Sequence, residues 1–168
     1  MKKSIGLIAL LIIIGLTGCK KIIVDSVTSK INDAIGSMTV TVDGSTYKAF
    51  TAVNIVIGGL VDVEGIAQLS AKSKSMSVII KKKVEAGKTY SSSSTTPDKD
   101  VEIRWKDLTL STSNYSSANE GGSAIIKIKT VTDKQIDGTF SGTVVEDGKT
   151  ANKLVVKNGV FSVKYLLK

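Results

Sequence analysis

The sequence predicts an antiparallel all-β domain, a sandwich or a barrel of about eight strands with the sandwich favoured, and three observations predict it. From Met38 onward apolar residues recur at every second position, as in Met38, Val40 and Val42 alternating with Thr39 and Thr41. Asp43-Gly44, Asp147-Gly148 and Asn158-Gly159 supply the backbone conformations that tight turns need. The apolar runs are short and serial, so half-buried strands must find a second layer or close on themselves to cover their apolar faces.

Ahead of this region, Met1-Lys2-Lys3-Ser4 places two cations before an apolar run from Ile5 to Leu16. These are the n-region and h-region of an export signal. The run is twelve residues long, and a helix crossing the hydrocarbon needs about twenty, so it is too short to stay as a span. Leu16-Thr17-Gly18-Cys19 resembles the lipobox of bacterial lipoproteins, an aliphatic residue and two small ones before a cysteine. The resemblance implies cleavage between Gly18 and Cys19, with Leu16, Thr17 and Gly18 read by the signal peptidase. It also implies a diacylglyceryl thioether on the Cys19 thiol and acylation of its new amino group. Several acyl chains on one residue make membrane attachment effectively permanent, at about 0.8 kcal/mol per buried methylene. Cys19 is the only cysteine, so the mature chain has no disulfide.

The domains expected are thus a signal over 1–18, a lipidated tether or short helix over 19–37, and one β domain over 38–168. In the tether Ile23, Val27, Ile31 and Ile35 fall at four-residue intervals, the spacing of an amphipathic helix. Asp25-Ser26-Val27 matches the short pattern that Bacteroidota glycosylate on exported proteins, which makes Ser26 a candidate O-glycosylation site. Loss of Lys2 and Lys3 lowers the formal charge from +8 to +6. Residue 20 is lysine, not the aspartate that retains enterobacterial lipoproteins at the inner membrane, and no acidic cluster follows. The expected location is the periplasmic face of the outer membrane.

Within the β domain, Met38 to Val42 and Tyr47 to Ile57 form the first hairpin about Asp43-Gly44. Leu60–Leu69, Ser77–Lys82, Val101–Leu110, Ala124–Thr130, Ile136–Val145 and Leu154–Tyr165 read as further strands. Asn158-Gly159 is either a turn or a bulge within one bent strand. With aromatics at 5%, the core is expected to be Ile, Val and Leu around Trp105, Phe50, Phe140 and Phe161. Ser91–Asp100, which holds the only proline, Pro97, and Ser111–Ser123 read as polar loops leaving opposite ends of the Val101–Leu110 strand.

Ile136-Asp137-Gly138-Thr139-Phe140-Ser141-Gly142, followed by Val155 to Val163 with its Asn158-Gly159-Val160-Phe161, resembles the tail of lipoproteins of Bacteroidota whose activity is uncharacterised. Ala86-Gly87-Lys88-Thr89-Tyr90 is similar to another of their features, and the similarity runs in order from about Met38 to Lys168. Its motifs are structural glycines and aromatics. What it implies is the all-β fold, with no activity attached.

The sequence contains no histidine, and lipid consumes its one cysteine. That removes Ser-His-Asp and Cys-His catalysis, thiol redox chemistry and the usual zinc, copper and haem ligand sets, so no metal or cofactor is expected. Ser45 and Lys48 have the serine-x-x-lysine spacing of penicillin-binding enzymes, but a strand sends residues three apart to opposite faces. Asp133 with Asp137, and Glu146 with Asp147, have the look of carboxylate pairs, yet solvated turns explain them better. Lys72, Lys74, Lys81, Lys82, Lys83 and Lys88 are the densest run of charge. Lysines of this kind protect a strand edge or attract anionic headgroups. The run lacks the aromatic interleaving of a nucleic-acid surface, and nucleic acid is not an expected partner.

The function expected is non-enzymatic binding of an envelope protein or glycan through the polar loops, with Tyr115 and then Tyr90 as candidate contact residues. The alternative is a barrel carrying a small apolar ligand or lipid.

Overall fold

A computed structural model describes residues 36–49, 51–57, 60–67, 73–107 and 113–164. Cys19, its preceding Leu16, Thr17 and Gly18, the amphipathic segment with Ser26, and Phe50 and Lys72 lie outside the described residues.

The domain is all-β and antiparallel. In chain order its strands are β1 (Gly36–Val42), β2 (Ser45–Ala49), β3 (Thr51–Ile57), β4 (Leu60–Ala67), β5 (Lys74–Ile80), β6 (Thr89–Ser93), β7 (Val101–Asp107), β8 (Ser113–Ser116), β9 (Ser123–Val131), β10 (Gln135–Glu146) and β11 (Lys149–Lys164). All eleven belong to one sheet, hydrogen-bonded in the order β2-β1-β11-β10-β8-β7-β5-β4-β3, with β9 and β6 branching from β10. The sheet curls into a half-barrel. Of the two arrangements expected, sandwich and barrel, this is the barrel-like one, with eleven strands among the described residues in place of about eight.

The branch has a local cause. At twelve residues β10 is long enough to serve two partners, β9 along Ile136–Thr143 and β8 at Val145 and Glu146. The curl is visible in the contact of Tyr47 on β2 with Trp105 on β7. Their rings meet edge to face at 4.9 Å although β1, β11, β10 and β8 separate the two strands in hydrogen-bond order. Between them lies the core, in which Val63, Ile103, Ile126, Ile128, Ile136 and Val163 have no accessible surface. Each such side chain contributes about 1.5–3 kcal/mol by leaving water. Side chains fill the concave face.

The turns follow their dipeptides. Asp43 (φ 46°) and Gly44 (φ 80°) both take the left-handed conformation, which a two-residue hairpin requires for its twist to match the strands. Asn158 (φ 52°) is a bulge, not a turn: β11 carries one extra residue there against both β1 and β10.

Two segments expected as loops contain strands. In β6 the inward positions are Tyr90 and Ser92, both buried, and beyond β8 the buried inward residue is Ser117. Ser92 Oγ accepts the Asp98 amide at 2.9 Å, and Ser117 Oγ accepts that of Ile103 at 2.8 Å. An inward serine that bonds the backbone gives no hydropathic alternation, so the period of two is hidden.

Candidate functional site

Hydrogen bonds and an ion pair span the β6–β7 connection. Ser93 and Thr96 exchange backbone hydrogen bonds at 3.1 and 3.2 Å, and Asp98 Oδ1 accepts the Asp100 amide at 3.0 Å. Lys82 Nζ pairs with Asp98 Oδ2 at 2.5 Å. Asp98 is held below its ordinary carboxylate range, chiefly by that lysine and then by the amide. Across from it, the β8–β9 turn closes through Gly122 N to Asn119 O at 2.8 Å. Asn119 Nδ2 donates to Val145 O at 2.8 Å and to Asp147 Oδ1 at 2.9 Å, tying this turn to the β10–β11 hairpin.

These two polar segments meet. Ser94 N donates to Gly122 O at 3.2 Å, and Ser93 is register partner of Ser123. The sequence pattern alone places them at opposite ends of the strand between them. Because β8 pairs with β7 over Ser113–Ser116, it carries the chain back to where β7 begins, and the second segment arrives beside the first. The result is a cleft of about 450 Å³ with Ser92–Ser94 and Pro97–Lys99 on one wall and Ser117–Glu120 on the other. A second cleft of about 480 Å³ shares Ala118 and Asn119 and extends over the outer face of β7 and β8, past Glu102, Arg104, Lys106, Asn114 and Ser116.

On that outer face Arg104 grips Glu102 with two bonds, Nε to Oε1 at 2.7 Å and Nη2 to Oε2 at 2.8 Å. Ser116 Oγ donates to Glu102 Oε1 at 2.6 Å. Burial pushes the Glu102 carboxyl up, but the Arg104 and Ser116 bonds together outweigh it and hold the group below its ordinary value. Two strands away, Asp62 has an Oδ1 buried without a hydrogen-bond partner among the described residues. Burial first, and then repulsion from Glu64, raise its pKa. The face therefore presents hydroxyls, amides, an ionised carboxylate and a guanidinium, the groups of hydrogen-bonding recognition.

Neither tyrosine expected to touch a ligand is displayed by a loop. Tyr90 is buried, 8% exposed, and its hydroxyl donates to Lys83 O at 3.1 Å and accepts the Glu85 amide at 2.9 Å. Tyr115 lies on β8 opposite Trp105, shares its face, and packs partly buried against the core. Burial raises the pKa of its phenol. Tyr115 also lines the second cleft.

Ser45 pairs with Val42 and Lys48 with Thr39, and their odd spacing leaves them on opposite faces of β2. Glu146 is not the solvated turn residue expected: it is 8% exposed and accepts bonds from Lys149 Nζ at 2.7 Å and Asn152 Nδ2 at 2.6 Å. The apparent lysine cluster is largely neutralised, Lys74 by Asp107, Lys82 by Asp98 and Lys88 by Glu85. Sequence reasoning alone passes over Glu102, Arg104 and Asn119. The first two carry a signal, charges alternating with Val101, Ile103 and Trp105, whereas nothing near Asn119 announces its partner 26 residues away.

Comparison of the chain with protein-family models, with curated proteins and with solved structures finds no match.

Proposed function

We propose that the chain is an exported bacterial lipoprotein, anchored through Cys19, whose β domain recognises an envelope protein or glycan without catalysing a reaction. The lipobox-like Leu16-Thr17-Gly18-Cys19 supports the anchor. The observation that carries recognition is the junction of two serine-rich segments into one pair of adjoining clefts lined mainly by polar residues, held by the Ser94–Gly122 and Asn119–Val145 bonds. Segments already ordered before binding lose little conformational entropy when a partner arrives. Rigid scaffolds that present polar loops suit recognition for that reason. The filled concave face lends less support to the alternative, an apolar ligand or lipid carried inside the sheet.

A photo-crosslinking residue placed in the living cell at Ser94 or Ala118 tests the reading. The expected result is a discrete adduct with one envelope component from either position, and none from the exposed Thr150 on the hairpin. No adduct from either cleft position sinks the recognition reading. The anchor is tested apart from it: Cys19→Ala is expected to lose radioactive palmitate, and a variant that keeps both label and membrane attachment overturns the anchor.

A further inference from the structure

The outer face of the sheet differs from one end to the other. Over β4, β5 and β7 it carries Asp62, Glu64 and Glu102 around Arg104. Over β9, β10, β11, β1 and β2 it carries lysines and bare aliphatic side chains. One cross-strand row there reads Lys127, Thr139, Val160, Thr39 and Lys48, five residues paired in register across five strands. Val160 is 48% exposed, with Ile125 (51%) on β9 and Val155 (43%) further along β11 on the same face. Lys157 points outward beside Thr41.

Lys48, Lys127 and Lys157 are exposed, and none pairs with a carboxylate among the described residues. Asp137 is the one carboxylate at an outward strand position of this face among the described residues, and Gln135 Nε2 already bonds it at 2.6 Å.

We propose that this face lies against the surface of an anionic lipid bilayer. Three features select a membrane over a compact acidic partner. The row crosses four strand spacings, about 19 Å, so the surface reaches well past the cleft of about 410 Å³ that Ile125, Lys127, Thr139 and Val160 line at one end of it. Exposed aliphatics between long lysines match an interface whose upper layer is anionic and whose lower layer is apolar, because lysine stems lie along the apolar part while the ammonium groups stay among headgroups. The tether also enters the domain through β1, a strand of this same face, seventeen residues after Cys19. Even fully extended, such a tether holds Gly36 within about 60 Å of the anchor. The last point rests on the anchor proposed above; the first two do not.

The test uses the chain purified from its expressing bacterium, with mass spectrometry reporting whether Cys19 carries lipid. Val160→Trp and Lys106→Trp variants are mixed with vesicles of brominated phosphatidylcholine, alone or with about 30% phosphatidylglycerol, since headgroup charge should decide attachment of the lysine face. Trp105 provides the same buried background in both. Quenching of the residue 160 tryptophan is expected to exceed that at 106 several-fold in the anionic vesicles. The difference should shrink without phosphatidylglycerol, in about 1 M salt, and in the K48E/K127E/K157E variant. Equal quenching at 160 and 106, or quenching indifferent to phosphatidylglycerol and to salt, overturns the proposal whatever the state of Cys19. A chain without lipid on Cys19 that still shows selective quenching at 160 keeps the face and sinks the anchor. The salt comparison uses unaltered lysines, so it decides the matter even where the triple variant folds poorly.

Discussion

Phe161 of β11 lies against Gly138 of β10, its register partner, and further along the ladder Phe140 lies in the same way against Gly159. Each ring covers the bare backbone left by the glycine opposite, and the two rings stand 6.3 Å apart in the core. A Cβ on residue 138 would sit 2.4 Å from Phe161 Cζ and 2.9 Å from the backbone oxygen of Lys127, so the ring has to turn and the strand has little room to yield. Gly138→Ala is expected to cost about 1–3 kcal/mol through overpacking, and Phe161→Ala about 3–5 kcal/mol through the cavity it leaves. Urea midpoints measure both. An unchanged midpoint for Gly138→Ala refutes the contact.

Tyr115 supports β8 against the core and also lines the second cleft. Its replacement by alanine is expected to lower stability by about 2–3 kcal/mol, less than a fully buried aromatic because its ring is only partly covered. Tyr115→Phe keeps the ring and is expected to cost under about 1 kcal/mol. A Tyr115→Ala variant that melts with the parent protein makes the residue a contact candidate again.

Removing the guanidinium from Arg104 leaves Glu102, whose side chain is 10% exposed, with only Ser116 to satisfy it among the described residues. Because Arg104 itself is 45% exposed, the expected loss from Arg104→Ala is about 1–2 kcal/mol, below that for a fully buried pair. The pH dependence has a definite sign. Glu102 titrates lower folded than unfolded, so its contribution is present above its ordinary value of 4.5 and disappears as pH falls through the lower folded value. Parent and variant should therefore differ most at neutral pH and converge in acid, as chemical denaturation across pH will report.

Asp62 has the opposite sign. Its folded pKa is raised by burial, so stability is lost as pH climbs through the ordinary value of 3.8 toward the folded one. Asp62→Asn is expected to stabilise the domain at neutral pH and to give no advantage below pH 3.8. An asparagine variant that is less stable than the parent at neutral pH means that Asp62 has a partner beyond the described residues.

By itself the sequence determined the parts of this domain whose causes are local. Alternation from Met38 and the Asp43-Gly44 dipeptide set β1, β2 and the turn between them, because side-chain period and left-handed backbone are properties of adjacent residues. The same holds for most of the later strands and for the bulge at Asn158, one of the two conformations its dipeptide allows. Only the tertiary structure decided which segments become neighbours. β6 and the segment around β8 are hidden from hydropathy because Ser92 of β6 and Ser117, just beyond β8, point inward and are satisfied by backbone amides at Asp98 and Ile103, a compensation that side-chain character does not register. The clefts arise because β8 turns the chain back along β7, and the lysine face because Lys48 of β2, Lys127 of β9 and Lys157 and Val160 of β11 are brought onto one side of the sheet. Strand order and register are settled by which curled arrangement buries Trp105, Phe140 and Phe161 together, a condition on the whole sheet that no window of neighbouring residues contains.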